Sequence, residues 1–292
     1  MTVNGAGTEG IAVSVIVPVK NGLPWLHEQL RALESQECSA PWEIVVADNA
    51  STDGTSVVVQ GYAAKDPRLR VVDASSVRGP AATRNLAVRA ASGEILAFCD
   101  ADDVVHPGWV ESWLHALGDA DLAAGLNDPW TLNRVTPSLP ASPKPPPQRA
   151  QFGFLDAAGS GNMAVRRGAF DAVGGFDEEL HVGEDTDLCW RLQLAGYRFT
   201  IGEGVISRRE RNGTMALLGR SIQYGRCGPL LYRRYRSRGL RAHPRAALRA
   251  WIYVIVNLPR LVDPEFRPAW ARVAGWRLGR LIESFRSLVF FP

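Results

Sequence analysis

The chain has 292 residues, of which 46% are hydrophobic and 22% are charged, and this is the composition of an ordinary soluble globular protein. Its length allows one large domain or two small ones to bury a core. Four scattered cysteines without a C-x-x-C pair argue against a disulfide framework and a zinc site, so we expect reduced thiols in a cytoplasmic protein.

The net charge is only +3, but it is unevenly distributed along the chain. Glu210 is the only acidic residue between Ile206 and Arg260, where arginines recur. This asymmetry predicts a polyanionic partner for the C-terminal part. The N-terminus lacks the pattern of a signal peptide, and the run WIYVIVNLP has about half of the ~20 residues that a membrane-spanning helix requires. We therefore expect a chain that does not cross a membrane.

Strands and helices alternate in the first part of the chain. Strands are predicted in VSVIVPV, WEIVVAD, LRVVDA and EILAFCDADD, and helices in LPWLHEQLRALESQ, TSVVVQGYAAK, PAATRNLAVRAAS and PGWVESWLHALG. This alternation predicts an α/β fold with a mostly parallel central sheet. Ligands of such sheets bind beyond the carboxyl ends of the strands, where Asn21, Asp48 and Asp100 should converge.

The second part of the chain is less regular. The Pro-rich residues 136–147 predict an exposed extended loop. A strand in GSGNMAVRR, a short helix in AFDAVGGF and a helix from Glu184 to about Leu194 follow. Beyond Arg208 the pattern predicts amphipathic, arginine-rich helices.

Asp100, Asp102 and Asp103 crowd the end of the fourth predicted strand. Two carboxylates flanking one residue suit a hard divalent cation, Mn²⁺ or Mg²⁺, which would cancel their repulsion and reach phosphate oxygens. The alternative is a solvated turn in which Asp103 caps the next helix. We favour the metal site for the first two residues and leave Asp103 as the cap.

Two further acidic positions suggest chemistry. Asp48 ends the second strand and suits a base or ribose contact, although turn chemistry explains the residues from Asn49 to Gly54. The stretch GED begins a predicted helix, where a carboxylate facing a crevice can act as a general base. The helix macrodipole alone favours carboxylates at such a position, and this accounts for Asp187.

Four stretches of the chain resemble, in order, the family 2 glycosyltransferases, which have the GT-A fold. They are VSVIVPVKNG, VVADNASTDGT, RGPAATRN…ASGEILAFCDADD and GGFDEEL…GEDTDLCWRL, and they cover roughly residues 11–204. The family transfers a sugar from a nucleotide donor, holds a divalent metal on a D-x-D motif and uses an Asp of an ED motif as the base. The resemblance is to the non-processive, bacterial type.

The resemblance implies a role for each matching residue. Donor nucleotide contacts are implied for Pro18, Asn21, Asp48, Arg78, Arg84 and Asp100. Asp100 and Asp102 are implied to bind Mn²⁺ or Mg²⁺, and Asp185 is implied to be the catalytic residue. Acceptor or sugar contacts are implied for Asn162 and Glu184. The donor would be linked to UDP, dTDP or GDP, and a hydroxyl group would accept the sugar with inversion.

The chain departs from the family in three places. Many members supply a His as a metal ligand after the ED helix, whereas VISRRERNGT contains none. Processive members carry Q-x-x-R-W, but QYGRC has Cys227 at the Trp position, which indicates a non-processive enzyme. The Pro-rich residues 136–147 lie where family members differ from one another, so the resemblance implies nothing about the acceptor.

These observations predict a flexible N-terminus at 1–10, a catalytic domain at 11–205 and a helical basic extension at 206–292. The donor half of the domain would span about 11–118 and the acceptor half about 119–205. Arginines lie beside aromatic residues in the extension, and two interpretations fit this pattern. The extension either contacts the inner face of an anionic membrane or packs on the catalytic domain as a cap. No nucleic-acid module is recognisable.

Two other functions are compatible with an acidic nucleotide fold. A nucleotidyltransferase acting on a sugar phosphate usually has a basic, Gly-rich phosphate loop, and PVKNGLPW has only one lysine. A non-catalytic scaffold at a membrane would not need Asp100, Asp102 and Asp185, which are all present.

Overall fold

The computed structural model describes residues 10–133, 152–209 and 213–292. The Pro-rich segment at 136–147 lies outside the described residues, as does nearly all of the predicted flexible N-terminus. The strands are β1 (Val13–Val19), β2 (Trp42–Asp48), β3 (Leu69–Asp73), β4 (Ile95–Cys99), β5 (Val104–Val105), β6 (Leu122–Asp128), β7 (Asn162–Arg166) and β8 (Phe199–Ser207). The helices are α1 (Leu26–Glu34), α2 (Thr55–Ala63), α3 (Gly79–Ala90), α4 (Trp109–Ala116), α5 (Arg167–Ala172), α6 (Glu184–Leu194), α7 (Thr214–Gly225), α8 (Cys227–Tyr235), α9 (Pro244–Val256) and α10 (Arg267–Ser287).

These strands form one sheet in the order β3-β2-β1-β4-β7-β6-β8-β5. The predicted α/β fold is confirmed, and β3, β2, β1 and β4 are parallel throughout. Beyond β4 the pairing is mixed, because β7 runs antiparallel to both β4 and β6, and β8 runs parallel to β6 but antiparallel to β5.

The central strands are apolar because helices cover both faces of the sheet. Every residue of β2 and β4 is buried. A strand covered on both faces has no solvent side on which polar residues would be favoured, so its sequence is mostly apolar rather than alternating. Glu43 is the exception within β2, and its carboxylate accepts the Ser14 hydroxyl at 2.7 Å. The polar residues that matter for function therefore begin where each strand ends.

The C-terminal extension shares its core with the catalytic part. Cys227, Leu231 and Tyr235 of α8 belong to the same buried cluster as Trp190 of α6. Phe291 joins this cluster and is 2% exposed. The packed-cap prediction is therefore confirmed for α8 and the chain end, and the boundary at 205/206 remains a prediction.

The helices α7 and α10 pack closely against each other. Gly279 has no side chain, and a Cβ at this position would clash with the backbone of Ile222 on α7. A truncation after Arg238 would remove α10 and expose the face of α7 that packs against it. Point substitutions therefore test the role of the extension with less disturbance of the fold than a truncation does. No helix among the described residues combines the length and apolar character needed to cross a membrane.

Candidate active site

A cavity of about 370 Å³ opens at the carboxyl ends of β1 and β4. Among the residues predicted from the sequence, Pro18, Asn21, Arg84, Asp100 and Asp102 line it. Pro18, Asn21, Asp100 and Asp102 lie at the ends of β1 and β4, which are parallel, hydrogen-bonded neighbours, whereas Arg84 comes from α3. The predicted convergence of Asn21, Asp48 and Asp100 is therefore confirmed for Asn21 and Asp100, whereas Asp48 is not part of the described lining.

Asn21 joins the turn after β1 to the turn after β2. Its φ angle of 53° lies in the left-handed region, which Asn tolerates better than most residues. The Asn21 side-chain oxygen accepts the Thr52 N–H at 2.8 Å, and the Asn21 N–H donates to the Ser51 hydroxyl at 2.8 Å. The Thr55 N–H donates in turn to Asp53 at 3.0 Å. These bonds confirm the turn chemistry predicted between Asn49 and Gly54.

Asp48 and Arg78 lie beside the cavity rather than in its described lining. Asp48 is 8% exposed and accepts the Ser51 N–H at 3.1 Å. Its neighbour Asn49 lines the cavity and donates to the carbonyl of Ala74 at 2.7 Å. Arg78 is exposed and precedes α3 as its N-cap. Nucleotide contacts by Asp48 and Arg78 remain predictions.

The three aspartates after β4 form a compact cluster. Carboxylate oxygens of Asp100, Asp102 and Asp103 all lie within 4.8 Å of one another. Burial, reinforced by the two neighbouring carboxylates, raises the pKa of Asp103 to about 7. Crowded oxygen ligands of one charge fit a hard divalent cation, so the donor set suits Mn²⁺ or Mg²⁺.

The expectation that Asp103 caps the next helix is wrong. Helix α4 begins at Trp109 with Gly108 as its N-cap. Asp103 instead accepts the backbone N–H of Arg209 at 2.8 Å, and the Arg209 side chain donates to the carbonyl of Asp102 at 3.1 Å. The segment after β8, in which the sequence lacks the His of many relatives, therefore places an arginine against the aspartate cluster.

Arg84 connects the aspartate cluster to the start of α6. Its guanidinium donates to Asp100 at 2.8 Å and to Glu184 at 3.4 Å, and the residue is only 4% exposed. Burial and the nearby Asp185 charge raise the pKa of Glu184 to about 7, although Arg84 acts in the opposite direction. Arg84 thus holds two carboxylates in place, and a diphosphate contact by Arg84 remains a prediction.

The short loop 159–161 brings Asp185 into the same cleft. The Ser160 N–H donates to Asp185 Oδ2 at 3.4 Å. A Cβ on Gly161 would lie 2.7 Å from Asp100 Oδ2, which is closer than van der Waals contact allows. One loop therefore touches the predicted base and the predicted metal ligand.

Asn162 has a structural environment that the sequence did not suggest. It is 6% exposed, accepts the Trp109 indole N–H at 2.8 Å, and donates to the carbonyls of Leu126 at 2.8 Å and Gly204 at 3.2 Å. These bonds hold β7 against β6, β8 and α4. A sugar contact by Asn162 remains a prediction.

The assignment of Asp187 to the helix macrodipole was incomplete. Asp187 is fully buried and accepts from Arg191, Arg234 and Tyr235, each at 2.7 Å. Arg234 also pairs with Asp177. Asp187 therefore ties α8 of the extension to α6, the helix that carries Glu184 and Asp185.

A second, larger cavity of about 1040 Å³ lies among α3, α6 and α8. Its lining includes Arg191 and Arg234, which are committed to Asp187. Asp100 and Asp102, the predicted metal ligands, line the smaller cavity instead. The residues of QYGRC are also elsewhere, since Gln223 is exposed and Arg226 pairs with Glu283 at 2.8 Å.

Sequence reasoning did not single out Lys20, Trp25 or Thr83, whose side chains differ in chemistry and which also line the smaller cavity. Lys20 is an exposed cation in the turn after β1. Its position in PVKNG, directly after the first predicted strand, could have indicated that it lies at the cavity. Trp25 is 38% exposed and lies beneath the Arg209 guanidinium, 5.7 Å from its ring centre. An exposed indole before a helix gives no sequence signal of its own.

Comparison with known proteins identifies glycosyltransferases among the relatives of this chain. The pre-mycofactocin glycosyltransferase of Mycobacterium tuberculosis is 27% identical over 261 residues, which is 84% of this chain. The chain spans about half of that relative's length, 53%. The glycosyltransferase AglE of Haloferax volcanii is 28% identical over 73% of this chain and 72% of its own.

Solved structures with this fold include a mannosyltransferase of Pyrobaculum calidifontis in complex with GDP-Man and Mn²⁺. It is 22% identical, with a TM-score of 0.62 over 94% of this chain and 87% of its own. S. aureus TarS 1-349 in complex with UDP-GlcNAc is 20% identical, with a TM-score of 0.53 over 97% and 93%.

The family models match most of the chain. The model described as "Glycosyl transferase family 2" matches residues 14–174, and that described as "Glycosyl transferase family group 2" matches residues 148–285. The first alone covers more than half of the chain and includes the aspartate cluster. The chain therefore belongs to glycosyl transferase family 2 and has the GT-A fold.

Proposed function

We propose that this chain carries the catalytic domain of a metal-dependent, inverting glycosyltransferase. It would move one sugar from a UDP-, dTDP- or GDP-linked donor to an acceptor hydroxyl, in the biosynthesis of a glycan, glycolipid or natural product. The observation that carries the proposal is the loop 159–161, which touches Asp185 on one side and Asp100 on the other. A base and a diphosphate site must be this close, because both act on the same anomeric carbon.

In the proposed reaction, Asp185 accepts the proton of the acceptor hydroxyl. The hydroxyl oxygen then forms a bond to the anomeric carbon, and the bond from that carbon to the diphosphate oxygen breaks. The nucleoside diphosphate leaves on the opposite face with the bonding electron pair. The half-buried Asp185 suits the role of base. Among the described contacts, its Oδ2 atom accepts only the 3.4 Å hydrogen bond from the Ser160 N–H.

Asp100 and Asp102 would hold the divalent cation, and Asp103 lies close enough to contribute. A bound Mn²⁺ or Mg²⁺ supplies charge that offsets the negative charge developing on the departing diphosphate. The exposed Lys20 would reinforce that effect from the turn after β1. Arg84 has a positioning role, because it fixes Asp100 relative to Glu184.

A panel of nucleotide sugars tests this function directly. We expect one of the UDP-, dTDP- or GDP-linked donors to raise the melting temperature with Mn²⁺ present, because a ligand at 100 times its dissociation constant adds about 2.7 kcal/mol of stability. The same donor should be hydrolysed slowly, with water replacing the acceptor. Stabilisation by a nucleoside triphosphate, with pyrophosphate released from a sugar phosphate, would contradict the proposal.

A further inference from the structure

Helix α9 exposes an aliphatic stripe to solvent. Leu248, Ile252 and Ile255 recur every three or four residues, and Val256 lies four residues after Ile252. Their exposed fractions are 62%, 50%, 61% and 68% in chain order. This spacing places all four on one face of the helix. The face extends into the following turn, where Val262 is 82% exposed. Isolated exposed aliphatic residues are common, but a continuous stripe indicates a contact surface.

The opposite face of α9 already has its contacts within the protein. Ala247 and Val254 are buried. The indole N–H of Trp270 on α10 donates to the carbonyl of Val254 at 2.9 Å. The exposed stripe is therefore not the side by which α9 packs on the protein, and burying it requires a partner outside the described residues.

Exposed arginines accompany the stripe. Arg245 and Arg249 lie on α9, and Arg260 lies in the turn that follows. Across residues 213–292 the sequence has 15 arginines and no lysine, against Asp263, Glu265 and Glu283 as its only acidic residues. The partner must therefore accept both an aliphatic face and a cluster of positive charge.

We propose that this surface, formed by α9 and the turn Leu258–Val262, docks on an anionic membrane at its headgroup level. An amphipathic helix lying in the membrane plane buries its apolar face at the acyl boundary, while arginines reach lipid phosphates. A second copy is a poorer occupant, because a symmetric contact would bring the same arginines of the two chains together. This surface is separate from the proposed glycosyl transfer, since neither the aspartate cluster nor Asp185 contributes to it.

Sedimentation of the full chain with lipid vesicles tests the proposal. The wild type should bind vesicles of phosphatidylglycerol mixed with phosphatidylcholine, bind pure phosphatidylcholine much more weakly, and be released as salt rises, since charge attraction is screened over about 10 Å at 0.1 M. Val256→Glu should weaken binding roughly tenfold, because it replaces an inserted aliphatic side chain with a repelled charge. Arg245→Gln with Arg249→Gln should weaken it by about fivefold for each arginine.

The donor half provides matched controls. Val57 on α2 is 73% exposed, so Val57→Glu introduces the same charge at an equally exposed valine outside the proposed surface. Arg31→Gln with Arg89→Gln removes two exposed arginines from α1 and α3. Both controls should bind vesicles like the wild type, and all variants should keep the wild-type melting temperature.

Three results would overturn the proposal. The first is a wild type that does not sediment with anionic vesicles at low salt. The second is equal binding by Val256→Glu and Val57→Glu. The third is a wild-type dimer in analytical ultracentrifugation that Val256→Glu converts to a monomer while vesicle binding is unchanged, which would assign the surface to a second copy.

Discussion

The N-terminal part of the chain, which is the proposed donor half, and the proposed C-terminal extension use charge in different ways. In the donor half, three carboxylates crowd within 4.8 Å, and burial raises the pKa of Asp103 to about 7. In the extension, Arg234 of α8 pairs with Asp187 and Asp177, whereas the arginines of α9 remain exposed beside an aliphatic face. The first arrangement crowds like charges together, and the α8 arrangement pairs opposite charges.

This contrast shows that the extension is part of the site's support. Asp187 and Asp185 are two residues apart on α6, but one points into ion pairs with α8 and the other towards the loop 159–161. The extension therefore fixes the helix that presents the proposed base. Substitutions at these two aspartates should separate chemistry from support.

The largest expected effect is on turnover at Asp185. Asp185→Asn is nearly isosteric and removes a general base, which contributes typically 10²–10⁴-fold. We expect donor binding and the melting temperature to be preserved while transfer, or slow donor hydrolysis, falls by about that factor. Full activity of Asp185→Asn in a folded protein would contradict its assignment as the base.

Asp187→Asn should mainly cost stability. Its side chain is buried and accepts hydrogen bonds from two arginines and a tyrosine hydroxyl. The substitution removes the buried charge that pairs with Arg191 and Arg234, and it should cost about 2 kcal/mol of unfolding free energy because these two arginines are themselves partly exposed to solvent. Urea denaturation measures this directly. Asp171→Asn, an exposed position on α5, is the control and should change stability by less than about 0.5 kcal/mol. A cost for Asp187→Asn as small as that of the control would show that α8 is not held by these ion pairs.

Glu184 should make stability depend on pH. Burial raises its pKa from 4.5 to about 7, so the folded state binds this proton more tightly than the unfolded chain does. The stabilisation from the protonated form is full below about pH 4.5 and is lost as pH rises through 7. Glu184→Gln cannot titrate, so its unfolding free energy relative to wild type should rise between pH 5 and pH 8 by up to about 3 kcal/mol.

The control for this pH dependence is Glu179→Gln, an exposed position before α6. Its unfolding free energy should follow that of the wild type at every pH. A constant difference between Glu184→Gln and wild type across the range would show that Glu184 keeps its charge in the folded protein.

The donor half could be predicted from the sequence because its elements are local. Apolar runs end at polar turns, so the four strands and the clustering of Asn21, Asp100 and Asp102 follow from pattern and sheet geometry. The roles of Asp103 and Asp187 could not be predicted in this way. Their partners, Arg209 and Arg234, are distant in sequence, and only the fold brings them together.

The strands β6 and β8 were also missed, for a physical reason. LAAGLND has low β-propensity, and FTIGEGVIS is interrupted by two glycines. Gly204 lies against Trp109 and Gly202 against Trp113, so the glycines make room for the indole rings of α4. Tertiary packing therefore overrides local preference at these strands.

Calorimetric titration tests whether Asp102 holds a metal ion against the diphosphate. The nucleoside diphosphate of the stabilising donor is titrated into wild type and Asp102→Asn, with and without Mn²⁺. We expect Mn²⁺ to tighten wild-type binding and Asp102→Asn to lose roughly tenfold in affinity, equivalent to about 1.4 kcal/mol, because an amide is a poorer ligand than a carboxylate. Binding of the bare nucleoside should hardly change. Equal diphosphate affinity of the two proteins in Mn²⁺ would remove Asp102 from the metal site and contradict the account.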